Sequence, residues 1–348
     1  MGSTNNDFGS IMTTSDQELQ SKPSLPPAGR LAEERPEFIG IPLESFTRGS
    51  LTNCQLYLCI EKSKYVKYSD PGTPFDQQAR GRLAENGHKS VYVKREDSHQ
   101  LNHYFEQNLK NSLNDPKSTE KQKAQALYTS SVHIMRELMM DPAVPATVRT
   151  CRNISETAIN HITSSPNSLA MIMDLASADY YTFTHSVNVM TYSVALASRL
   201  GYPPGDLLVD LGQSALLHDV GKSYVDWKIT NKSGPLTSDE FELMKQHPDY
   251  GYTALASTKE VPENTLYAVR HHHEKLDGKG YPHGLVGSQI DMNVRVISCA
   301  DIYDALTTRR VYRPAMKSFP ALQIMKERVG IELDETVYQE FVKMLGEL

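Results

Sequence analysis

Between residues 38 and 94, apolar and polar positions alternate in four short runs: FIGIPL, QLYLCI, KYVKY and SVYVK. Each is rich in β-branched and aromatic residues and is bounded by turn formers, which predicts strands. FDQQARGRLAEN, between the third and fourth runs, has helical composition and stops at Gly87, a natural C-cap. SHQLNHYFEQNLKNSL after the fourth is helical too. From Ser118 the period changes to that of a helix. STEKQKAQALYTSSVHIMRELMM predicts one helix with Ser118 as N-cap, broken by Pro142 and Pro145. VRTCRNISETAINHI and NSLAMIMDLAS follow as further helices. In THSVNVMTYSVALASRL, Val187, Met190, Val194 and Ala197 fall on one stripe, with Gly201 as the stop. In GDLLVDLGQSALLHD the stripe is Leu208, Leu211, Ala215 and His218. SDEFELMKQH, NTLYAVRHHHE, VRVISCADIYDALTT and FPALQIMKERV continue the helical series.

These patterns predict an α+β multi-domain chain. Residues 1–37, rich in Ser, Asn, Pro and charge, bury too little apolar surface to offset ordering entropy and read as a disordered tail. Residues 38–115 form a small α/β module, expected to be sensory or regulatory. Residues 116–165 form a helical connector that suits pairing with a second copy, so a homodimer is expected. Residues 166–348 form an all-α bundle.

Composition narrows the function classes. The 348 residues are 39% apolar and carry a formal net charge of −6. No basic excess points to a nucleic-acid polymer or an anionic lipid surface. There is no apolar run of 18 residues, and MGSTNNDFGS has neither a basic n-region nor an apolar core. The expectation is a cytoplasmic protein with no membrane partner. Four sparse cysteines without a CxxC pair fit a reducing compartment.

The histidines change the picture most. Seven of twelve lie between His185 and His283. His218 and Asp219 are adjacent at the end of an apolar helix. Alone, such a pair reads as a core-edge histidine and a capping acid. Its company argues otherwise: His185 opens the preceding helix, His247 ends MKQH, and His271, His272 and His273 run consecutively before Glu274. Asp301 and Asp304 lie three apart in an apolar helix and share a face. Buried carboxylates are costly unless paired or metal-bound, and helical bundles build metal sites from ligands on facing helices. Mixed imidazole and carboxylate donors suit iron, manganese or zinc. Two such ions about 3.5–4 Å apart can clamp a phosphoryl displacement and lower the pKa of bound water from about 15.7 to roughly 7. Lys222 stands four residues after His218, and Arg309, Arg310 and Arg313 follow Asp304, as phosphate-binding chemistry requires. The glycine-rich loop DGKGYPHG would carry Tyr281 to the rim of such a site. Rival motifs fail. VGKS would need a P-loop glycine at position 216, which is Leu216, and GxSxG and GxGxxG are absent.

LLHDVGK followed by HHEKLDGKGYP resembles the HD-GYP family, HD phosphohydrolases that hydrolyse the second messenger cyclic di-guanylate (cyclic di-GMP). The resemblance runs over residues 179–313 and takes in YTFTHS, HDVGK, KQHPDYG, HHEKLDGKGYP and ADIYDALTTRRVYR in order. It implies that His185, His218, Asp219 and Asp301 hold one divalent ion and that His247, His272 and His273 hold a second, with Asp219 bridging. His271 is then the extra histidine. It implies iron or manganese ahead of zinc, and two ions, because Tyr181 stands where three-metal members have Glu. Asp219 and Lys222 become the catalytic pair, and Lys222, Tyr281, Arg310 and Arg313 the substrate contacts. Val311 replaces the family's usual proline. The implied reaction is attack of a bridging hydroxide on phosphorus, giving pGpG, with pGpG or GMP as the end product left open. Two alternatives stand beside it: a receptor or scaffold docking a protein partner through the GYP loop, and a phosphodiesterase for a cyclic GMP–AMP hybrid.

Overall fold

The computed structural model describes residues 37–46, 50–51, 53–61, 64–164, 170–172, 182–308 and 315–347, together with Leu25. The expected tail lies almost wholly outside these residues.

The four predicted strands form β1 (Phe38–Pro42), β3 (Leu56–Glu61), β4 (Lys64–Ser69) and β6 (Ser90–Lys94), in an antiparallel sheet of order β1-β6-β3-β4. β2 (Ser50–Leu51) and β5 (Pro74–Phe75) pair separately and are too short to leave a period-two signal. Ile41 of β1 lies opposite Val91 of β6, and Ile39 opposite Val93. Ile41, Val91 and Val93 pack with Leu83 of α1 (Gln77–Glu85) and Leu101 and Phe105 of α2 (Ser98–Asn114). Because every pairing in this sheet is antiparallel, the module has α+β character and shows no parallel βαβ unit among the described residues.

α3 (Glu120–Met140) is capped by Thr119, one residue past the expected Ser118. Thr119 bonds the backbone of Gln122 while the Gln122 side chain returns the bond, a reciprocal box that Ser118 cannot form. α4 (Pro145–Ser164) follows. Then come α5 (Thr182–Arg199), α6 (Asp206–Leu217), a 3-10 turn (Val220–Tyr224), α7 (Trp227–Thr230) and α8 (Ser238–Met244). The series closes with α9 (His247–Thr258), α10 (Glu263–His271), α11 (Met292–Thr307), α12 (Ser318–Lys326) and α13 (Glu335–Gly346). SDEFELMKQH is therefore two elements. The chain turns at Lys245–Gln246, and Pro248 in the first turn of α9 starts a new helix with His247 at its head.

Leu127 and Leu138 of α3 and Val148 and Ile159 of α4 share one core with Val187, Val194, Leu208, Leu211, Val269, Val296 and Phe341. The helices of the 116–165 segment are thus packed into the bundle. α5 is its central rod, buried at every position from Thr184 to Ala197. Some of its polar positions are held by their own helix, as the Thr191 hydroxyl is by the Val187 carbonyl at 2.8 Å, and others across it, as the Asn188 amide is by Asp304 at 2.8 Å. Each buried Val or Leu contributes on the order of 1.5–3 kcal/mol, which offsets the cost of carrying His185 into the same interior. Among the described residues, no helix is long and apolar enough to cross a membrane.

Candidate metal centre

Five elements converge on Asp219, which is 1% exposed. It stands where α6 passes into the 3-10 turn. A Cβ on Gly221 would lie 1.9 Å from the His247 carbonyl oxygen and 2.5 Å from the Gly251 nitrogen. Only glycine lets this turn dock on the head of α9 and set Asp219 beside His247.

Asp219 lies between two groups of ligand atoms. Its Oδ1 is 3.3 Å from His247 Nε2 and 3.8 Å from His272 Nε2. Its Oδ2 is 3.4 Å from His218 Nε2 and 3.6 Å from His185 Nε2. Asp301 Oδ1 is 3.1 Å from the same His185 nitrogen. Ligand atoms of Asp219, His247, His272 and His273 lie within 4.8 Å of one another, and so do those of His185, His218 and Asp301. The structure therefore brings together all seven residues singled out as ligands in the sequence.

The imidazoles are preset. His218, His247 and His272 each bond through Nδ1 to the carbonyl three residues upstream: Ala215 at 2.7 Å, Met244 at 2.7 Å and Val269 at 2.8 Å. Those carbonyls end helices and lack helical partners of their own. Because a carbonyl only accepts, Nδ1 carries the proton and Nε2 carries a lone pair. His185 Nδ1 is held in the same way by Asp304 Oδ2 at 2.6 Å. The lone pairs then face one another. His247 Nε2 and His272 Nε2 stand 3.2 Å apart with no proton between them, and His218 Nε2 and Asp219 Oδ1 have no hydrogen-bond partner. Opposed acceptors in a buried space are unfavourable unless a cation lies between them. The donor set fits divalent transition ions.

Electrostatics agree. Burial holds His247, His272 and His273 in the neutral, ligating form, His273 at about 3 with His247 adding to the effect. Burial also opposes ionisation of Asp219. Lys222 and the imidazoles of His218 and His247 outweigh it and keep the carboxyl well below the usual range. Asp301 is likewise held low, burial being overcome by His185. Lys222 Nζ bonds Asp219 Oδ2 at 2.5 Å and keeps partial access to solvent.

The Gly278–Gly284 loop closes one side. Tyr281 N donates to the His273 carbonyl at 3.3 Å, and the two rings lie 4.8 Å apart. Burial, then Asp219 and Asp301, push the Tyr281 phenol far up, so it stays a donor. A Cβ on Gly280 would fall 2.4 Å from Glu274 Cα, so this close approach requires glycine. Glu274 anchors the loop by accepting from the backbone N–H groups of His283 at 2.7 Å and Leu285 at 3.0 Å.

Arg309, Arg310, Arg313 and Tyr181 lie outside the described residues. Sequence reasoning placed Asp301 and Asp304 together on one face. The structure divides their roles: Asp301 faces the ligand cluster, whereas Asp304 stands behind His185 and also accepts from Asn188 at 2.8 Å and Thr308 at 2.9 Å. Asn188, three residues after His185 on the same helix, was the available signal for that orienting role. The anchoring by Glu274 carried no sequence signal beyond its place after the histidine run.

Residues 170–337 match the family described as HD domain. Over 193 residues the chain is 38% identical to the cyclic di-GMP phosphodiesterase PA4108 of Pseudomonas aeruginosa, covering 56% of this chain and 45% of that protein. This chain thus carries an HD domain, in keeping with its resemblance to the HD-GYP family. A second relative is the 3′3′-cGAMP-specific phosphodiesterase 3 of Vibrio cholerae, 38% identical over 167 residues that cover 48% of this chain and 36% of that protein. The chain thus spans less than half the length of these two relatives. In architecture it is similar to the HDG"Y"P protein Bd1817 of Bdellovibrio bacteriovorus, with a TM-score of 0.70 at 21% identity over 89% of this chain and 99% of that one. That likeness covers the N-terminal module together with the bundle.

Proposed function

We propose that this chain is a metal-dependent phosphodiesterase of the cytoplasm that hydrolyses cyclic di-GMP. One observation carries the reading: seven donors, five of them buried and His273 and Asp301 partly so, direct their lone pairs at a shared space beside Lys222 and Tyr281. His185, His218 and Asp301 with Asp219 Oδ2 would hold one ion, and His247, His272 and His273 with Asp219 Oδ1 the other. Iron or manganese is expected ahead of zinc. When bound, two such ions neutralise phosphate charge and acidify water.

The chain's own groups do the rest. Asp304 and three helix-end carbonyls fix the imidazole tautomers before any ligand arrives. The Lys222 ammonium, tied to Asp219 and partly open to solvent, offers charge to a phosphate oxygen. The protonated Tyr281 phenol donates at the rim, and its ring against His273 walls off water. Arg310 and Arg313 are the further phosphate contacts that the family resemblance implies. The P. aeruginosa relative's name supports cyclic di-GMP, and that of the V. cholerae relative makes the GMP–AMP hybrid the rival substrate.

The test offers both dinucleotides to the full chain with manganese or ferrous iron and follows the products. Cyclic di-GMP should give pGpG and then GMP. Asp219→Ala should lose metal and activity together, by about 1000-fold if about 4 kcal/mol of charge stabilisation is removed. Near wild-type hydrolysis by Asp219→Ala contradicts the mechanism. Preference for the hybrid changes the substrate, and tight binding without product replaces the enzyme with a receptor.

A further inference from the structure

A third concentration of ligand chemistry stands at the root of the GYP loop. His271 ends α10, Glu274 follows it by three residues, and His283 returns on the loop. One ligand atom from each lies within 4.8 Å of the others. His271 is 7% exposed, and its Nδ1 has no hydrogen-bond partner. That nitrogen is 3.6 Å from Glu274 Oε1, beyond hydrogen-bond reach. The His271 and His283 rings are 5.0 Å apart. Glu274 is 3% exposed, and each of its oxygens accepts a single backbone N–H, which leaves one lone pair apiece. His283 is exposed, so an ion can enter from solvent and complete its coordination with water.

We propose that His271, Glu274 and His283 form a separate site for one zinc-class divalent ion. Two imidazoles and one carboxylate with an open fourth position are an established zinc donor set. Magnesium and calcium, which favour all-oxygen shells, are poor matches. The consequence follows from chain position. His271 adjoins His272 and His273, and His283 lies two residues past Tyr281. An ion here clamps the Tyr281 loop to the helix end that carries two ligands of the main centre, and makes loop order respond to zinc.

The test counts zinc on the full chain by competition with a chromophoric chelator and uses no cyclic dinucleotide, so it stands apart from the phosphodiesterase reading. Wild type should bind one more equivalent than His283→Ala, however many the main centre takes. His99→Ala, which removes an exposed histidine on α2, should bind as many as wild type. His283→Cys keeps a donor, and with cobalt(II) it should gain a near-ultraviolet thiolate-to-metal band. Equal zinc counts for wild type and His283→Ala overturn the proposal. So does loss of the extra equivalent in His99→Ala, or a His283→Cys protein that binds cobalt without the new band.

Discussion

Two buried acids stand nine residues apart, Asp210 on α6 and Asp219 just past its end, and they have opposite surroundings. Asp210, 8% exposed, is surrounded by donors. Its Oδ1 takes Arg152 at 2.6 Å, its Oδ2 takes Asn264 at 2.8 Å, and its backbone carbonyl takes the Thr265 hydroxyl at 3.2 Å. Asp219, 1% exposed, has one ammonium on Oδ2 and faces imidazole lone pairs elsewhere. The first carboxylate is satisfied by the protein and ties α4, α6 and α10 together. The second is satisfied only when cations enter. Burial and residue type are alike at the two positions. The direction of the neighbouring hydrogens separates a structural acid from a ligand.

Asp304→Asn tests that distinction most strongly. It presents an amide hydrogen to His185 Nδ1 and favours the wrong tautomer. Metal affinity should fall about 10–100-fold, with little change in thermal stability of the metal-free protein. Isothermal titration with manganese reads this, and unchanged affinity would detach Asp304 from the centre.

Arg152→Leu probes the other acid. Leaving Asp210 short of a donor should cost about 1–3 kcal/mol in urea unfolding, with metal content at wild-type level. Loss of metal in this variant would blur the division between the two clusters.

A last prediction concerns a histidine away from both. His133 of α3 stacks on Phe105 at 4.3 Å and meets Asn102 at 2.6 Å. Burial, then Arg136, lower its pKa from 6.5 to about 3. Between those values the unfolded chain takes up a proton that the folded chain refuses, so stability falls as pH drops from 6.5 toward 3. His133→Gln keeps a hydrogen bond to Asn102 without the titration. It should flatten that decline by at most about 1.4 kcal/mol per pH unit. Parallel slopes in wild type and variant would contradict the assignment.

How much of this was legible in the sequence differs by level. The four longer strands and most helices follow from periodicity, because burial on one face writes a period. β2 and β5, two residues each, write none. α5 showed one apolar stripe but is buried from Thr184 to Ala197, where its polar side chains find partners such as the Val187 carbonyl for Thr191 and Asp304 for Asn188. The seven converging side chains were readable as chemistry carried on separate helices. The split between Asp301 and Asp304 was not, because it depends on which edge of the His185 ring each carboxylate meets. Nor was the need for Gly221 and Gly280, where a Cβ would fall within 2.6 Å of the backbone of a segment distant in the chain or adjacent across a loop.

The most direct measurement is elemental analysis of the full chain purified without oxygen and incubated with manganese or ferrous iron. Opposed lone pairs around Asp219 predict at least two tightly held equivalents, falling below one in Asp219→Ala. A well-folded wild-type protein that retains neither ion would contradict the account.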